Sequence, residues 1–576
     1  MNRRIVGVLV ALLSLLLFAA FLYSNGLSRS FSGYYVSDDE WAKIIESRNE
    51  NPELDTSCLK FNGYSLEYAS GKAYYSIVDN DWHNYDPVVS LSRNRKLAAR
   101  GERISAESIE NNKSVELLIY NNKEYRRLEL VTTTLPIMSM TFDELPATRE
   151  NETFHMRLFD NRRNTINRVI SSDGQAHRRG ASSFGLEKGN LTLKLTQRSV
   201  GENTRSNPQS LLGMPESDSW VLSSMYFDYE KVRDAFAQTM WSKMNQNSFD
   251  VKNSFEVRYV ELFVNGEYYG LYLLGSKPSP DNITSEIVDE EHPDIMYKLE
   301  DNDNITGYVT DQISTLRNFK QETRVGEKEA NKVLHDYFTA VMGADIGKIE
   351  DVTDMTNAID FHLFVNITQN GDIPRGLEGY KNAYISFKWD GEKYKAIFAP
   401  WDFDIALGSS TLYKEYYNMK PSDNIILGID SVSAIRRNGS DLADRQIQKR
   451  FNELRQGTFS DLKVNEVIDS LQSDIFSSGA FLRDLERWPN SNHSDPKITL
   501  DDFRTHVIQR LHYLDSYYSY SNDDFLKEKY VEIPNYVTEY LETGILLSPD
   551  DPNYETKQEE VEVELYEEDP TEFLFW

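Results

Sequence analysis

The fold is read from Val257-Arg-Tyr-Val-Glu-Leu-Phe-Val264, Asn265-Gly266 and Glu267-Tyr-Tyr-Gly-Leu-Tyr-Leu-Leu274. Two runs rich in aromatic and β-branched residues flank a two-residue Asn-Gly loop, which specifies a tight hairpin. Upstream, Asp228 to Met244 carries Val232, Ala235, Phe236 and Met240 at helical spacing, so a helix precedes the hairpin. Further upstream lie two more predicted strands, Phe154 to Leu158 and Leu191 to Leu195. They are joined by His177-Arg-Arg-Gly-Ala-Ser-Ser183. A Gly/Ser-rich connection between strands offers backbone N–H groups and hydroxyls to phosphate oxygens, although Arg-Gly-x-Ser-Ser is by itself more often a turn. Arg178, Arg179, Lys188 and Lys194 concentrate positive charge there, in a chain of formal charge −30.

Downstream, Asn357 to Thr368 reads as a helix that must end near Gly371 and Pro374, leaving Asp372 at its exit. Lys381-Asn382 then opens the strand Ala383 to Lys388, and a Trp389-Asp-Gly391 turn leads into a strand ending at Phe398-Ala-Pro-Trp-Asp-Phe-Asp404. Alone, an Asp-x-Asp is most often a solvated turn. Here Trp401, Phe403, Ile405 and Leu407 interleave Asp402 and Asp404, so the segment reads as half-buried, where ionised groups need partners or a hard cation such as Mg²⁺. Helix, Asp loop, Asn, hairpin and Asp pair is the order that phosphoryl transfer requires: one carboxylate to accept a proton, an amide and carboxylates to hold Mg²⁺.

At 576 residues, with 40% apolar and 12% aromatic content, the chain is globular and too long for one ordinary core. Its negative charge excludes nucleic acid as a partner of the main body, so any phosphate site is local. A single Cys58 excludes an intrachain disulfide and a Cys₂-type metal site, and the nine histidines show no ligand spacing, which disfavours zinc. His506, on a helical stripe with Val507 and Leu511, reads as a surface or core histidine.

Two Arg residues precede the uncharged run Ile5 to Tyr23, which predicts an exported chain. A length near the ~20 residues of a membrane span favours an uncleaved anchor, with a cleaved signal peptide ending near Gly26 and a secreted product as the alternative. Four period-two runs between Lys72 and Thr134 predict a small all-β, sandwich-like module. Helical rows fill about 410 to 545, and Glu559 to Asp569 reads as a solvated acidic tail. The expected organisation is residues 1–26 signal-anchor or signal peptide, 36–134 β domain, 135–535 main domain and 536–576 tail.

In this order the blocks resemble the CotH family of atypical, spore-coat-type protein kinases, over roughly residues 135 to 520. Arg179-Gly-Ala-Ser-Ser183 with Lys188 and Lys194, Leu211-Leu-Gly-Met-Pro215, Asp218-Ser-Trp-Val-Leu222 with Arg233, the Tyr259 to Leu274 hairpin, Asn370-Gly-Asp372 with Lys381-Asn382, and Pro400-Trp-Asp-Phe-Asp404 carry the resemblance. It implies an α+β, kinase-like two-lobe domain (about 135–300 and 301–535) using ATP and Mg²⁺ to phosphorylate Ser or Thr of envelope or surface proteins. It also implies Asp372 as catalytic carboxylate, Asp402, Asn382 and Asp404 at the metal, and Arg179, Ser182, Ser183, Lys188 and Lys194 at the nucleotide. Ala181 stands where the family has Asn, and Glu187, Gly189 and Asn190 interrupt its Pro-Lys-Lys-Ser run. Those departures keep open an inactive kinase-like surface scaffold, and the Asp pair also keeps open a metal-dependent phosphohydrolase.

Overall fold

The computed structural model describes residues 28–78, 85–92, 94–163, 165–197, 205–278, 291–300, 304–323, 325–343, 345–373, 376–409, 417–425, 428–438, 441–491, 499–519 and 531–546. It is an α+β protein with an essentially all-β N-terminal region. Residues 28–133 form a four-stranded and a six-stranded sheet, with two short helices, Asp38–Glu46 and Ala106–Glu110, beside them. Phe31, just after a strand of the first sheet, and Phe61 and Val89 within that sheet meet Ala73, Tyr75, Leu117 and Leu128 of the second in one core.

Seven strands then close a barrel: β1 (Ile137–Phe142), β2 (Glu152–Phe159), β3 (Val169–Arg179), β4 (Asn190–Thr196), β5 (Ser219–Ser223), β6 (Val257–Val264) and β7 (Glu267–Ser276), in the order β1-β2-β3-β4-β5-β7-β6. The predicted hairpin is β6–β7, and Asn265 and Gly266 both take positive φ, 51° and 78°. Its apolar runs are nearly continuous because both faces are covered. Val260, Leu262, Tyr272 and Leu274 fill the barrel, whereas Tyr259, Leu271 and Leu273 pack on the helical core. Closure comes from a parallel pairing of β1 with β6, from Ile137 opposite Glu261 to Met140 opposite Val264.

A second sheet, ordered β9-β8-β10-β11, consists of β8 (Ile295–Leu299), β9 (Phe319–Gln321), β10 (Ala383–Trp389) and β11 (Tyr394–Pro400). Helices α1 (Arg233–Met244), α2 (Glu327–Gly343), α3 (Met355–Thr368), α4 (Asp441–Gln456), α5 (Asp461–Ile475), α6 (Ala480–Arg487) and α7 (Asp501–Tyr517) share one large core, in which α3 packs on β11 of this sheet and α6 on β7 of the barrel. Helix α3 is buried from Asn357 to Thr368, as an element apolar on all sides must be. The helix expected from Asp228 starts instead at Arg233, because the Asp228 carboxylate accepts the Arg233 backbone N–H at 2.7 Å. The helix expected over Asn465 to Leu482 is divided into α5 and α6 at Gly479, whose φ of +71° places it in the left-handed region. Helix Asn535–Thr543 precedes the acidic segment and packs on α2.

The expectation of a membrane-anchored protein is corrected here. Among the described residues no helix is long and apolar enough to cross a membrane, and the run Ile5 to Tyr23 lies outside them.

His506 belongs to the core. It is buried on α7, and its Nε2 lies 2.7 Å from Gln369 Oε1, just past the end of α3. Burial, helped by Arg233 and Arg510, lowers its pKa to about 4. The unfolded chain therefore takes up a proton near pH 6.5 that the folded chain refuses, and this stabilisation is lost as pH falls from 6.5 toward 4. Urea melts at pH 7 and pH 5 should show His506→Gln losing about 2 kcal/mol less than the wild type over that interval. Equal losses would contradict the assignment.

Candidate active site

Strand β11 ends at Pro400, and the next residues are anchored in opposite directions. Trp401 packs with Phe255, Met296, Tyr384 and Ala399 on the sheet face turned away from the helices. Phe403 is fully buried in the helical core, its ring 5.5 Å from that of Phe364. Asp402, held between them at φ +65°, presents its carboxylate to solvent while protein surrounds it on most sides, as at the floor of a cleft. The chain is then tied down again. Arg233 Nε donates to Ala406 O at 3.0 Å and Leu407 N to Thr368 O at 2.6 Å. A Cβ on Gly408, at φ +99°, would meet Tyr417 at 2.4 Å and His506 at 2.9 Å. Arg233 is itself held by Asp228 and Glu230 at 2.7 and 2.6 Å.

The second arm of the site leaves α3. Gln369 adopts the left-handed conformation at the helix C-cap, and Asn370 Oδ1 accepts Asp372 N at 3.0 Å. Asn370 Nδ2 donates to Asp402 O at 3.2 Å, and Asn382 Nδ2 donates to Asp372 Oδ2 at 2.6 Å. Trp401 N closes the circuit on Asn382 O at 2.8 Å. Asp372, Asn382 and Asp402, distant in sequence, thus share one hydrogen-bonded frame, with Lys381 Nζ 3.7 Å from Asp372. Gln369, Asn382, Asp402 and Leu407 are all non-glycine residues with positive φ, strain of the kind that accumulates at functional sites.

Charge is crowded here. Burial and then the Asp372 charge raise the pKa of Asp402, against the lowering pull of Arg179, Lys298 and Lys381. Asp404 is raised much further, by burial and by Asp402, Asp234, Asp372 and Asp228. Asp234, in the first turn of α1, was missed in the sequence. Its carboxylate lies against the Phe403 backbone N–H, and burial plus Asp402 and Asp228 push it up to about 7. Asp234 Oδ1 is buried without a hydrogen-bond partner among the described residues. The only sequence signal was an acid in the first turn of a predicted helix, where a helix-dipole partner is the ordinary explanation.

Among the described residues no group of three or more His, Cys, Asp or Glu side chains is placed to hold a metal ion. Mg²⁺ does not require one, since it keeps waters and uses one or two carboxylates together with substrate phosphates. Asp402 and the Asn382 amide, joined through Trp401 N and Asn382 O and next to Asp372, offer one carboxylate and one amide oxygen, the kind of partial donor set that suits this ion.

The expected phosphate-binding residues divide. Arg179, at the end of β3, has its guanidinium 5.8 Å from the Trp401 ring centre and lies within electrostatic reach of Asp402. Lys194, on β4, is partly exposed and paired with Asp218 at 2.6 Å. Ser183 Oγ accepts from Asn190 Nδ2 at 3.1 Å in the turn Ser182–Gly185, and the Ser182 side chain lies outside the described residues. Lys188 does not reach the cleft. Its ammonium is fully buried and donates to Asp484 Oδ1 at 2.7 Å, Leu271 O at 2.7 Å and Ser224 O at 2.9 Å. Burial lowers its pKa to about 7, against the pull of Asp484.

A family model described as CotH kinase protein matches residues 176–514, more than half of the chain. The protein belongs to the CotH kinase family. No curated protein matches it.

Lys188 and Asp484 are both inaccessible, and the buried Lys231 ammonium also lies 3.5 Å from Asp484, so removing that carboxylate strands two buried cations. Asp484→Ala should lower stability by about 3–5 kcal/mol in denaturant melts, as for other broken buried pairs. A loss below about 1 kcal/mol would show that the pair is not structural.

Proposed function

We propose that this protein is a kinase that transfers the γ-phosphate of ATP to a Ser or Thr hydroxyl of a protein. The barrel and the helical part serve as its upper and lower lobes. The observation that carries the reading is the frame joining Asp372, Asn382 and Asp402 beside Arg179. Asp372, oriented by the Asn382 amide and by Lys381, faces the acceptor hydroxyl and takes its proton. The acceptor oxygen bonds to the γ-phosphorus as the bond to the ADP oxygen breaks. Arg179 holds phosphate oxygens. Mg²⁺, when bound by Asp402, Asn382 and Asp404, supplies neutralisation of the phosphate charge.

Incubation of the full chain with γ-labelled ATP and Mg²⁺ against candidate protein acceptors tests this. Asp372→Asn and Asp402→Asn should each reduce label transfer by about 100-fold or more, with melting temperatures close to wild type. Transfer unchanged in Asp402→Asn would overturn the metal assignment.

A scaffold on the same frame is the second reading, favoured by the structural use of Lys188. Thermal melts separate the two, because a ligand bound only by the folded state adds ~2.7 kcal/mol at 100 times its Kd. A rise in melting temperature with Mg²⁺-ATP supports the kinase. No response at any concentration supports the scaffold.

A further inference from the structure

A cavity of about 640 Å³ lies at the turn end of the β10–β11 hairpin, the end away from Asn382 and Asp402. Tyr394, on its wall, and Pro400 stand at opposite ends of β11, about 20 Å of extended chain apart. The walls are α2, helix Ile346–Val352 and the hairpin, and the apolar lining is Val333, Ala340, Val352, Phe387, Trp389 and Tyr394. Leu334, Tyr337, Phe338 and Val341 of α2 turn into the helical core, which leaves the Val333 side of that helix to border the cavity. Val333, Val352, Trp389 and Tyr394 stay only half-buried. The volume falls within the roughly 300–1,000 Å³ of ordinary binding pockets, and this lining suits large apolar side chains.

The rim is charged. Lys332 pairs with Asp336 and Lys393 with Asp351, each at 2.5 Å, but both pairs are exposed to solvent and hold little energy. Lys348 is exposed and in no ion pair among the described residues. It stands on helix Ile346–Val352, which packs on α2. Glu329, the remaining carboxylate of the rim, lies in the first turn of α2, about 15 Å along the helix axis from Ala340. The Lys348 end of the groove is therefore its cationic end.

That is also the end where the C-terminal segment departs. Helix Asn535–Thr543 packs on α2, and a Cβ on Gly343, the last residue of α2, would lie 3.8 Å from Leu541. Ile545 and Leu546 beyond it are exposed. The next 30 residues, 547–576, lie outside the described residues and hold eleven acids against the single Lys557. They finish in Phe573-Leu-Phe-Trp576, directly after Glu567, Glu568, Asp569 and Glu572. A flexible chain of that length spans about 30 Å, more than the roughly 25 Å of α2. Tethering raises the effective concentration of such a segment to the millimolar range, so even a modest seat is filled.

We propose that the C-terminal segment of this chain docks in this groove, with Phe573 to Trp576 in the apolar cavity and the preceding acids on Lys348 and Lys393. The proposal does not depend on the kinase reading, because the groove is separate from the cleft.

The test is zero-length carbodiimide cross-linking of the full chain, which joins paired lysines and carboxylates, together with hydrogen–deuterium exchange. Cross-links from Lys348 or Lys393 to Glu567, Glu568, Asp569 or Glu572 are expected within one chain. Amides 571–576 should exchange at least about tenfold more slowly than in a synthetic peptide of residues 559–576. Phe573→Ser with Trp576→Ser should abolish the cross-links, and so should Thr339→Trp, which fills the groove, whereas Lys348→Glu should lower the protection. The tail variant keeps the proposal falsifiable should Thr339→Trp fold poorly. Exchange at the free-peptide rate in the wild type, or protection that survives both Thr339→Trp and Lys348→Glu, would overturn the proposal. Cross-links that form only between heavy-labelled and light chains would overturn the intrachain seat and assign the groove to the segment of a second copy.

Discussion

A carboxylate can be held at the floor of a cleft only if the backbone beneath it cannot relax. At Asp402 that restraint is mechanical: Trp401 is fixed in one layer and Phe403 in another, and the residue between them is left in a left-handed conformation. Such a conformation costs of order 1–2 kcal/mol for an ordinary residue, which two large buried rings readily offset. Thr368, Arg233 and His506 hold the stretch from Ala406 to Gly408, so the end of α3, the first turn of α1 and the middle of α7 all constrain the same loop. The Asp372 frame is built on this loop, through Asn370 and Asn382.

Electrostatics gives the cleft two sides. Asp402 raises the pKa of both Asp404 and Asp234, Asp234 raises that of Asp404, and Arg179 and Lys298 pull that of Asp402 down. Each group alone is costly, and under the proposed kinase reading a ligand with a metal on one flank and phosphates on the other would offset both. Lys188 and Asp484, equally charged but sealed, solve a different problem. They fasten α6 to the barrel, where Arg483 also pairs with Glu261 of β6 and contacts Asn112 of the N-terminal region.

Much of this was legible in the sequence where local chemistry decides it. The Asn265-Gly266 hairpin, α3, and the strands around Asp402 follow from turn residues and periodicity. Asp372 and Asn382 were legible through their order along the chain. Barrel closure was not, because it depends on a parallel pairing between β1 and β6, some 120 residues apart, which leaves no local mark. Lys188 misled for a related reason. Its neighbours in sequence place it beside the Gly/Ser-rich turn, but its partner lies 296 residues away. Asp234 and Lys298 escaped notice because an acid in a helical first turn and a lysine in a strand have ordinary explanations. Only tertiary packing brings them to Asp402.

The most direct measurement of the central claim is a crystal structure of the full chain with Mg²⁺ and a non-hydrolysable ATP analogue. A cation bonded to Asp402 and Asn382, phosphates against Arg179, and the Asp372 carboxylate open to the γ-phosphate are expected. A nucleotide bound elsewhere, with the Asp372–Asn382 hydrogen bond and Asp402 untouched, would contradict it.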